Sequence, residues 1–122
     1  MAARRHWAPE RRDIIWIDCN PQAGREMRDV HPLLVLSPRA FNERTGIVVG
    51  LPMTTAEYNR DNPFAVGFRG AKGQVSYVLA HQPKSFDWRA RAARIHPWKQ
   101  VPQEVYDRCR ETLDQILGPA EG

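Results

Sequence analysis

An unusual number of ionisable side chains gather in one short segment near the amino terminus. The sequence GREMRDVHP, residues 24–32, contains two arginines, two acids and a histidine: Arg25, Arg28, Glu26, Asp29 and His31. It stands directly before the apolar run 33–36. Imidazole can take up and return a proton near neutral pH, and guanidinium groups grip phosphate oxygens two at a time. The segment therefore combines residue types suited to proton transfer beside a bound phosphate.

The charge of the whole chain agrees with an anionic partner. The 122 residues carry a formal net charge of +4 at pH 7. Residues 102–122 hold five acids against Arg108 and Arg110, a balance of −3, which leaves +7 on the remainder. This asymmetry favours one face that meets a polyanion, although a solvated surface of scattered arginines would have the same composition.

Cysteine and histidine usage does not indicate a metal site. Cys19 and Cys109 have no metal-ligand spacing and are too few for a disulfide framework, so we expect two reduced thiols in the core. His6 and His96 are expected at the surface. No apolar stretch is long enough to span a bilayer, and the basic start has no hydrophobic segment behind it. We expect a soluble, cytoplasmic protein without a cofactor.

The hydrophobic pattern predicts a single, mainly β domain closed by a helix. A flexible basic leader is expected over 1–11, the domain over 12–118 and a tail over 119–122. Ser37 as cap, Pro38 in the first turn and Gly46 at the end predict a short helix, and helical spacing of apolar residues predicts a second helix over Pro102 to Leu117. The predicted strands are Asp13 to Cys19, Leu33 to Leu36, Ile47 to Met53, Ala65 to Phe68, Val75 to Leu79 and Ser85 to Arg94.

Several short motifs, taken in order, resemble the MazF/PemK family of toxins from bacterial toxin–antitoxin pairs. They are Asp13 to Asp18, Asn20-Pro21, Gly24-x-Glu26, His31-Pro32, Val35 to Pro38, Asn42, Thr45-Gly46, Pro52-x-Thr54-Thr55, Pro63-Phe64, Gln82, Lys84-Ser85 and Trp88 to Arg91. The resemblance implies a small SH3-like β-barrel with a C-terminal helix. It also implies a homodimer that cuts single-stranded RNA at short sequences without a metal, leaving a 2′,3′-cyclic phosphate and a 5′-hydroxyl. A cognate antitoxin would block it.

His31 departs from the family pattern, in which an arginine stands directly before the proline of the second strand. Metal-free RNA cleavage needs a base for the 2′-hydroxyl, groups that bind the phosphate and an acid for the departing 5′-oxygen. We expect His31 to transfer protons, Arg28 to clamp the phosphate and Glu26 to orient the imidazole. Alternatively, His31 lowers or abolishes activity or only bonds the backbone, and Glu26 pairs with Arg25 or Arg28.

Thr54 matches the active-site threonine of the family, and its hydroxyl is expected to donate to a phosphate oxygen, with Thr55 beside it as a substrate contact. A threonine at a strand end is also ordinary on β propensity alone. His81 stands where relatives carry an aspartate before the glutamine that is Gln82 here. It is expected to transfer a proton or bind RNA, or else to be a surface substitution without consequence.

The segment KSFDWRARAAR, residues 84–94, interleaves aromatic and basic side chains, as RNA-binding surfaces do. Lys84, Arg89 and Arg91 are expected to contact RNA together with Gln82, and strand alternation would put the two arginines on one side. Trp88 is either a stacking platform or a core residue.

The sequence thus predicts an endoribonuclease toxin whose partners are single-stranded RNA, an antitoxin and a second copy of itself. The alternative is a catalytically impaired, toxin-like module that binds an antitoxin. Poisoning of DNA gyrase, known from relatives with an aromatic C-terminal tip, is disfavoured because the chain ends in residues 118–122, GPAEG.

Overall fold

Seven β-strands and two α-helices make up the described part of the chain, which covers residues 7–19 and 30–118 of the computed structural model. The strands are Asp13–Asp18 (β1), Val30–Val35 (β2), Ile47–Thr54 (β3), Ala65–Arg69 (β4), Val75–Leu79 (β5), Lys84–Asp87 (β6) and Arg94–Gln100 (β7). The helices are Arg39–Thr45 (α1) and Gln103–Leu117 (α2), and a 3-10 helix spans Glu57–Asp61. None of these helices is long and apolar enough to cross a membrane.

The strands pair antiparallel in the spatial order β4-β5-β3-β2-β1-β7, and β6 also pairs with β3. Along its length β3 pairs with β6 over Ile47–Gly50, with β2 over Gly50–Pro52 and with β5 at Met53–Thr54. The strand β3 thus joins three neighbouring strands, and the sheet that they form is curled into a half-barrel. The predicted mainly β, SH3-like fold with a C-terminal helix is confirmed.

Successive residues of β1 and β2 point into two hydrophobic clusters, one on each face of the sheet. Ile14 and Leu34 belong to a cluster that includes residues of α2, whereas Ile15, Leu33 and their alternate neighbours belong to the other. Because both faces are covered, the strands read as continuous apolar runs rather than alternating ones. This explains why the run 33–36 predicts a buried strand.

Helix α2 buries one stripe of side chains against the sheet, as the helical spacing predicted. Val105, Tyr106, Cys109 and Leu113 are buried, whereas Ile116 near the helix end is 43% exposed. Cys109 is fully buried, and its burial raises the pKa of the thiol to about 12. The thiol is therefore protonated at neutral pH, in agreement with the predicted reduced core cysteine.

The single strand predicted over Ser85 to Arg94 is wrong, because the chain turns between β6 and β7. The Asp87 carboxylate accepts the backbone N–H of Ala90 at 3.0 Å, which closes a turn, and Ala92 follows with a left-handed φ of +52°. After the turn the chain pairs with β1 instead of β3. Local β propensity cannot reveal such a change of partner.

The short helix is confirmed, but Ser37 does not cap it. The Ser37 hydroxyl accepts the Val49 N–H at 2.9 Å and donates to the Asn42 side chain, so Pro38 occupies the N-cap position. Gly46 ends the helix with a φ of +76°, as the sequence predicted.

The chain before β1 packs against the domain from residue 7 onward. Ala8 and Pro9 are buried, and the Asn42 side-chain amide donates to the Pro9 carbonyl at 2.9 Å. The Arg12 guanidinium donates to the Val101 carbonyl at 2.9 Å. Residues 7–11, which the sequence assigned to the leader, are thus part of the packed structure.

Candidate active site

The pairing of β2 with β3 brings His31 and Thr54 to the same place. Leu33 pairs with Pro52 and Leu34 with Leu51. Continuing this register by two residues places His31 opposite Thr54, and opposite residues of an antiparallel pair project to the same face. His31 and Thr54, two of the four predicted catalytic residues, are therefore neighbours.

Two cavities meet at this point and share four lining residues, His31, Pro32, Met53 and Thr54, which we call the shared wall. The first cavity, of about 310 Å³, is the aromatic cavity, completed by Trp16, Thr55, Gln74, Ser76, His96 and Trp98. The second, of about 270 Å³, is the Lys84 cavity, completed by Ile17, Cys19, Leu33, Pro52, Leu79, Gln82, Lys84 and Phe86.

Thr54 presents its hydroxyl at the end of β3, where the side chain is half-buried. Its Oγ1 accepts the backbone N–H of Ala56 at 3.1 Å. A hydroxyl that accepts one hydrogen bond still has its own hydrogen to donate. Thr54 can therefore donate to an anionic oxygen placed over the shared wall, while the bond to Ala56 fixes its position.

His31 lies in the exposed first half of β2, opposite Ile17 of β1. The next residue, Pro32, has a fixed φ and no backbone N–H to donate. The imidazole is thus carried on a strand that is paired with β1 while its side chain stays accessible from solvent. Glu26 and Arg28, the other two predicted catalytic residues, lie outside the described residues.

His96 is buried, with 9% of its surface exposed, so its predicted surface position is wrong. The ring centroids of His96 and Trp16 are 4.6 Å apart and those of His96 and Trp98 are 5.0 Å apart. The Trp98 backbone N–H donates to His96 Nδ1 at 3.0 Å, and burial lowers the pKa of the imidazole. The alternation of His96 and Trp98 along one strand could have indicated a shared face.

Three of the predicted substrate contacts line the cavities: Thr55 lines the aromatic cavity, and Gln82 and Lys84 line the other. Arg91 does not line the Lys84 cavity but contacts one of its lining residues. Its guanidinium is 5.7 Å from the ring centroid of Phe86, a lining residue, and it donates to the Asp18 carbonyl at 3.2 Å.

Arg89 and His81 lie outside both linings. The Arg89 guanidinium stacks 4.3 Å from the Trp88 ring centroid, beside α1. Because Arg89 and Arg91 occupy a turn and not a strand, the prediction that alternation puts them on one side is wrong. His81 packs against Phe64 at 5.7 Å, and its buried Nδ1 has no hydrogen-bond partner within the described ranges.

Trp88 is a core residue and not an RNA-stacking platform. It is 5% exposed, and its indole N–H donates to the Asn42 carbonyl at 2.8 Å. This decides between the two alternatives that the sequence left open.

The titratable side chains of lysine and histidine that line the two cavities are all basic. Lys84, His31 and His96 line the two cavities, and no carboxylate does so among the residues that the structure describes. A polyanion can therefore approach the wall without meeting a like charge on the cavity lining.

A family model described as "PemK-like, MazF-like toxin of type II toxin-antitoxin system" matches residues 10–117. The chain belongs to this family. Among its curated MazF/PemK relatives, the endoribonuclease toxin MazF of Escherichia coli K12 is 38% identical over 87 residues, 71% of this chain and 76% of the relative. The endoribonuclease PemK of Escherichia coli is 30% identical over 116 residues, 93% of this chain and 86% of the relative.

Solved MazF structures agree with the family and the fold. MazF (Form-I) from Deinococcus radiodurans superposes with a TM-score of 0.78 at 33% identity, covering 93% of this chain and 100% of that one. A MazE–MazF structure (Form-III) from the same organism gives a TM-score of 0.79, again at 33% identity, with 93% and 100% coverage. The predicted MazF/PemK toxin with endoribonuclease activity is confirmed by these relatives.

Proposed function

We propose that this toxin cleaves single-stranded RNA over the shared wall, without a metal ion, and leaves a 2′,3′-cyclic phosphate and a 5′-hydroxyl. The observation that carries the proposal is the position of His31 and Thr54 between two cavities. A strand of RNA that passes over the wall would place one phosphate beside both side chains. The cavities on either side would then receive the flanking nucleotides.

The reaction forms a bond between the 2′-oxygen and phosphorus and breaks the bond from phosphorus to the 5′-oxygen. In this scheme the neutral imidazole of His31 takes the proton of the attacking 2′-hydroxyl. The departing 5′-oxygen takes a proton from water, which reaches the exposed end of β2. Glu26 and Arg28 keep the roles that the sequence predicts for them, orienting the imidazole and clamping the phosphate.

Thr54 and Lys84 would stabilise the phosphate as its negative charge concentrates in the transition state. The Thr54 hydroxyl donates to a non-bridging oxygen, and the Lys84 ammonium adds a positive charge from one of the two cavities. Preorganised donors of this kind act best where they need no rearrangement during the reaction. The hydrogen bond from Ala56 to Thr54 supplies such preorganisation.

The proposed assembly is a cytoplasmic homodimer that a cognate antitoxin inhibits. The MazE–MazF structures from Deinococcus radiodurans support an antitoxin partner by relationship. Exposed apolar side chains at Ile95, Ile116 and Leu117 offer surface for protein contacts. Light scattering on the purified chain, alone and after co-expression with its antitoxin, measures the mass of the homodimer and of the antitoxin complex.

The test is cleavage of a long defined RNA in EDTA, with the termini of the fragments identified chemically. We expect cuts at a short recurring sequence, with cyclic phosphate and 5′-hydroxyl ends. Thr54→Val, which removes one hydroxyl, should lower the cleavage rate roughly 10- to 100-fold, the usual value of a hydrogen bond to a charged group. Thr112→Val on α2 is the matched control, because its hydroxyl donates to the Arg108 carbonyl of its own helix, away from both cavities.

Cleavage that requires an added divalent ion, or fragments with a 5′-phosphate, would contradict the proposed reaction. Equal rates for the two valine variants would remove Thr54 from it. Complete inactivity of the antitoxin-free protein on varied RNAs would instead favour the impaired, antitoxin-binding module.

A further inference from the structure

We propose that the aromatic cavity is a binding site for a single nucleobase of the RNA, next to the phosphate that is cut. This proposal rests on the proposed function, since it concerns the same substrate. The rings of Trp16, His96 and Trp98, which the sequence had not connected with RNA, form one side of this cavity, which we call the aromatic wall. These residues would select one base of the RNA.

The three rings are in mutual contact along one side of the cavity, with His96 between the two indoles. Trp16 and His96 lie 4.6 Å apart with an interplanar angle of 32°, and Trp98 stands at 62° to His96 with centroids 5.0 Å apart. Trp16 and Trp98 are each half-buried, so part of each ring remains open to the cavity that they line. Bases stack on such surfaces because every base has a π-face.

Two residues outside the cavity lining, Phe68 and Gly70, help to position the Trp98 ring. Trp98 packs against Phe68 in an edge-to-face contact at 6.0 Å, and a Cβ at Gly70 would overlap its indole ring. Glycine at position 70 therefore leaves the space that the indole fills. A preformed wall loses less entropy on binding than a mobile one, which suits recognition of a base.

Polar groups inside the cavity could read the edge of a stacked base. Because His96 Nδ1 accepts the Trp98 N–H, the neutral ring carries its proton on Nε2, which makes no hydrogen bond to the described residues. The lining also contains the buried Ser76 and the exposed amide of Gln74. These groups add donors and acceptors to a mostly aromatic surface, the usual composition of a selective pocket.

The size and place of the cavity favour one base rather than a longer segment. Its volume of about 310 Å³ lies at the small end of ligand pockets. The shared wall separates it from the Lys84 cavity, so it would hold the base on one side of the cut only. Sequence preference at one position should therefore depend on this cavity, while the other positions do not.

The experiment measures cleavage of an RNA library with randomised positions around the cut, followed by sequencing of the ends. For Trp98→Ala and His96→Gln we expect preference at one position adjacent to the cut to fall by up to roughly 100-fold, because stacking, worth about 1–3 kcal/mol per base, holds the edge of the base against the polar groups of the cavity. Preference at the other positions should persist. Trp7→Ala is the control, because Trp7 packs on Trp88 and lines neither cavity.

Gly70→Ala provides a second test in which no residue of the cavity lining is replaced. The added methyl group would displace Trp98 from behind, so the same single position should lose its preference. Circular dichroism and urea unfolding check that each variant is folded. A uniform loss of rate at all sequences, or an unchanged preference profile in all folded variants, would overturn the proposal.

A binding assay separates this proposal from the proposed reaction. The probes are short 2′-O-methyl RNAs that differ in base composition and lack the attacking hydroxyl, titrated into the protein while indole fluorescence is followed. Affinity that Trp98→Ala lowers and Trp7→Ala does not would support the base site even if the wild-type protein cuts no RNA. Equal affinity of these two variants would refute the base site while leaving the cleavage mechanism in place.

Discussion

Replacing His31 by alanine should remove most of the activity and almost none of the stability. As a proton-transfer group, His31 should contribute roughly 10²- to 10⁴-fold, or about 3–5 kcal/mol of activation free energy. Its side chain is exposed on β2, so the free energy of unfolding should change by no more than about 0.5 kcal/mol. Cleavage activity and the free energy of unfolding should therefore respond very differently to this one substitution.

Two neighbours on the same strand calibrate the measurement. Leu34→Ala removes a fully buried side chain and should lower the free energy of unfolding by about 2–5 kcal/mol. Val30→Ala removes an exposed side chain that lines neither cavity and should leave both stability and cleavage close to wild type. The assay is kcat/KM on a fluorogenic RNA over a range of pH, together with urea unfolding of each variant.

His31→Arg introduces the arginine that the resemblance to the family implies at this position. We expect it to retain activity with a changed pH profile, because an imidazole titrates near neutrality and a guanidinium does not. Unchanged kcat/KM for His31→Ala in folded protein would refute the reasoning. A loss of activity that only parallels a loss of stability would refute it as well.

Three further predictions concern the rest of the fold. Burial raises the pKa of the Asp13 carboxyl, so the folded state holds this proton more tightly than the unfolded chain, and stability should fall as the pH rises through the raised pKa; urea unfolding against pH should show this slope in wild type and not in Asp13→Asn. Ellman's reagent should modify the partly buried Cys19 in native protein but reach Cys109, whose pKa burial raises to about 12, only after unfolding; modification of both native thiols at one rate would contradict this. Gly50→Ala should lower the free energy of unfolding by about 1–3 kcal/mol, because its Cβ would lie 2.5 Å from the Leu34 carbonyl oxygen, and an unchanged urea midpoint would exclude that clash.

The local sequence pattern predicted those strands and helices whose burial shows in residues a few positions apart in the chain. The run at Leu33 to Leu36 indicated a buried strand because both faces of the sheet are covered, and the spacing of Val105 and Cys109 indicated the buried stripe of α2. Ser85 to Arg94 failed as one strand because the pairing partner changes from β3 to β1 at a turn. A partner distant in sequence leaves no trace in the local pattern.

The order of residue types along the chain by itself indicated a mainly β toxin of the MazF/PemK family, with a threonine at position 54 and His31 where the resemblance implies an arginine. Only the tertiary structure decided that His31 and Thr54 share a wall between two cavities and that His96 is buried beside Trp16 and Trp98. Propensity and hydrophobic period depend on neighbours a few residues apart. Cavities depend on strand register and sheet curvature, which are set by contacts between residues far apart in the chain.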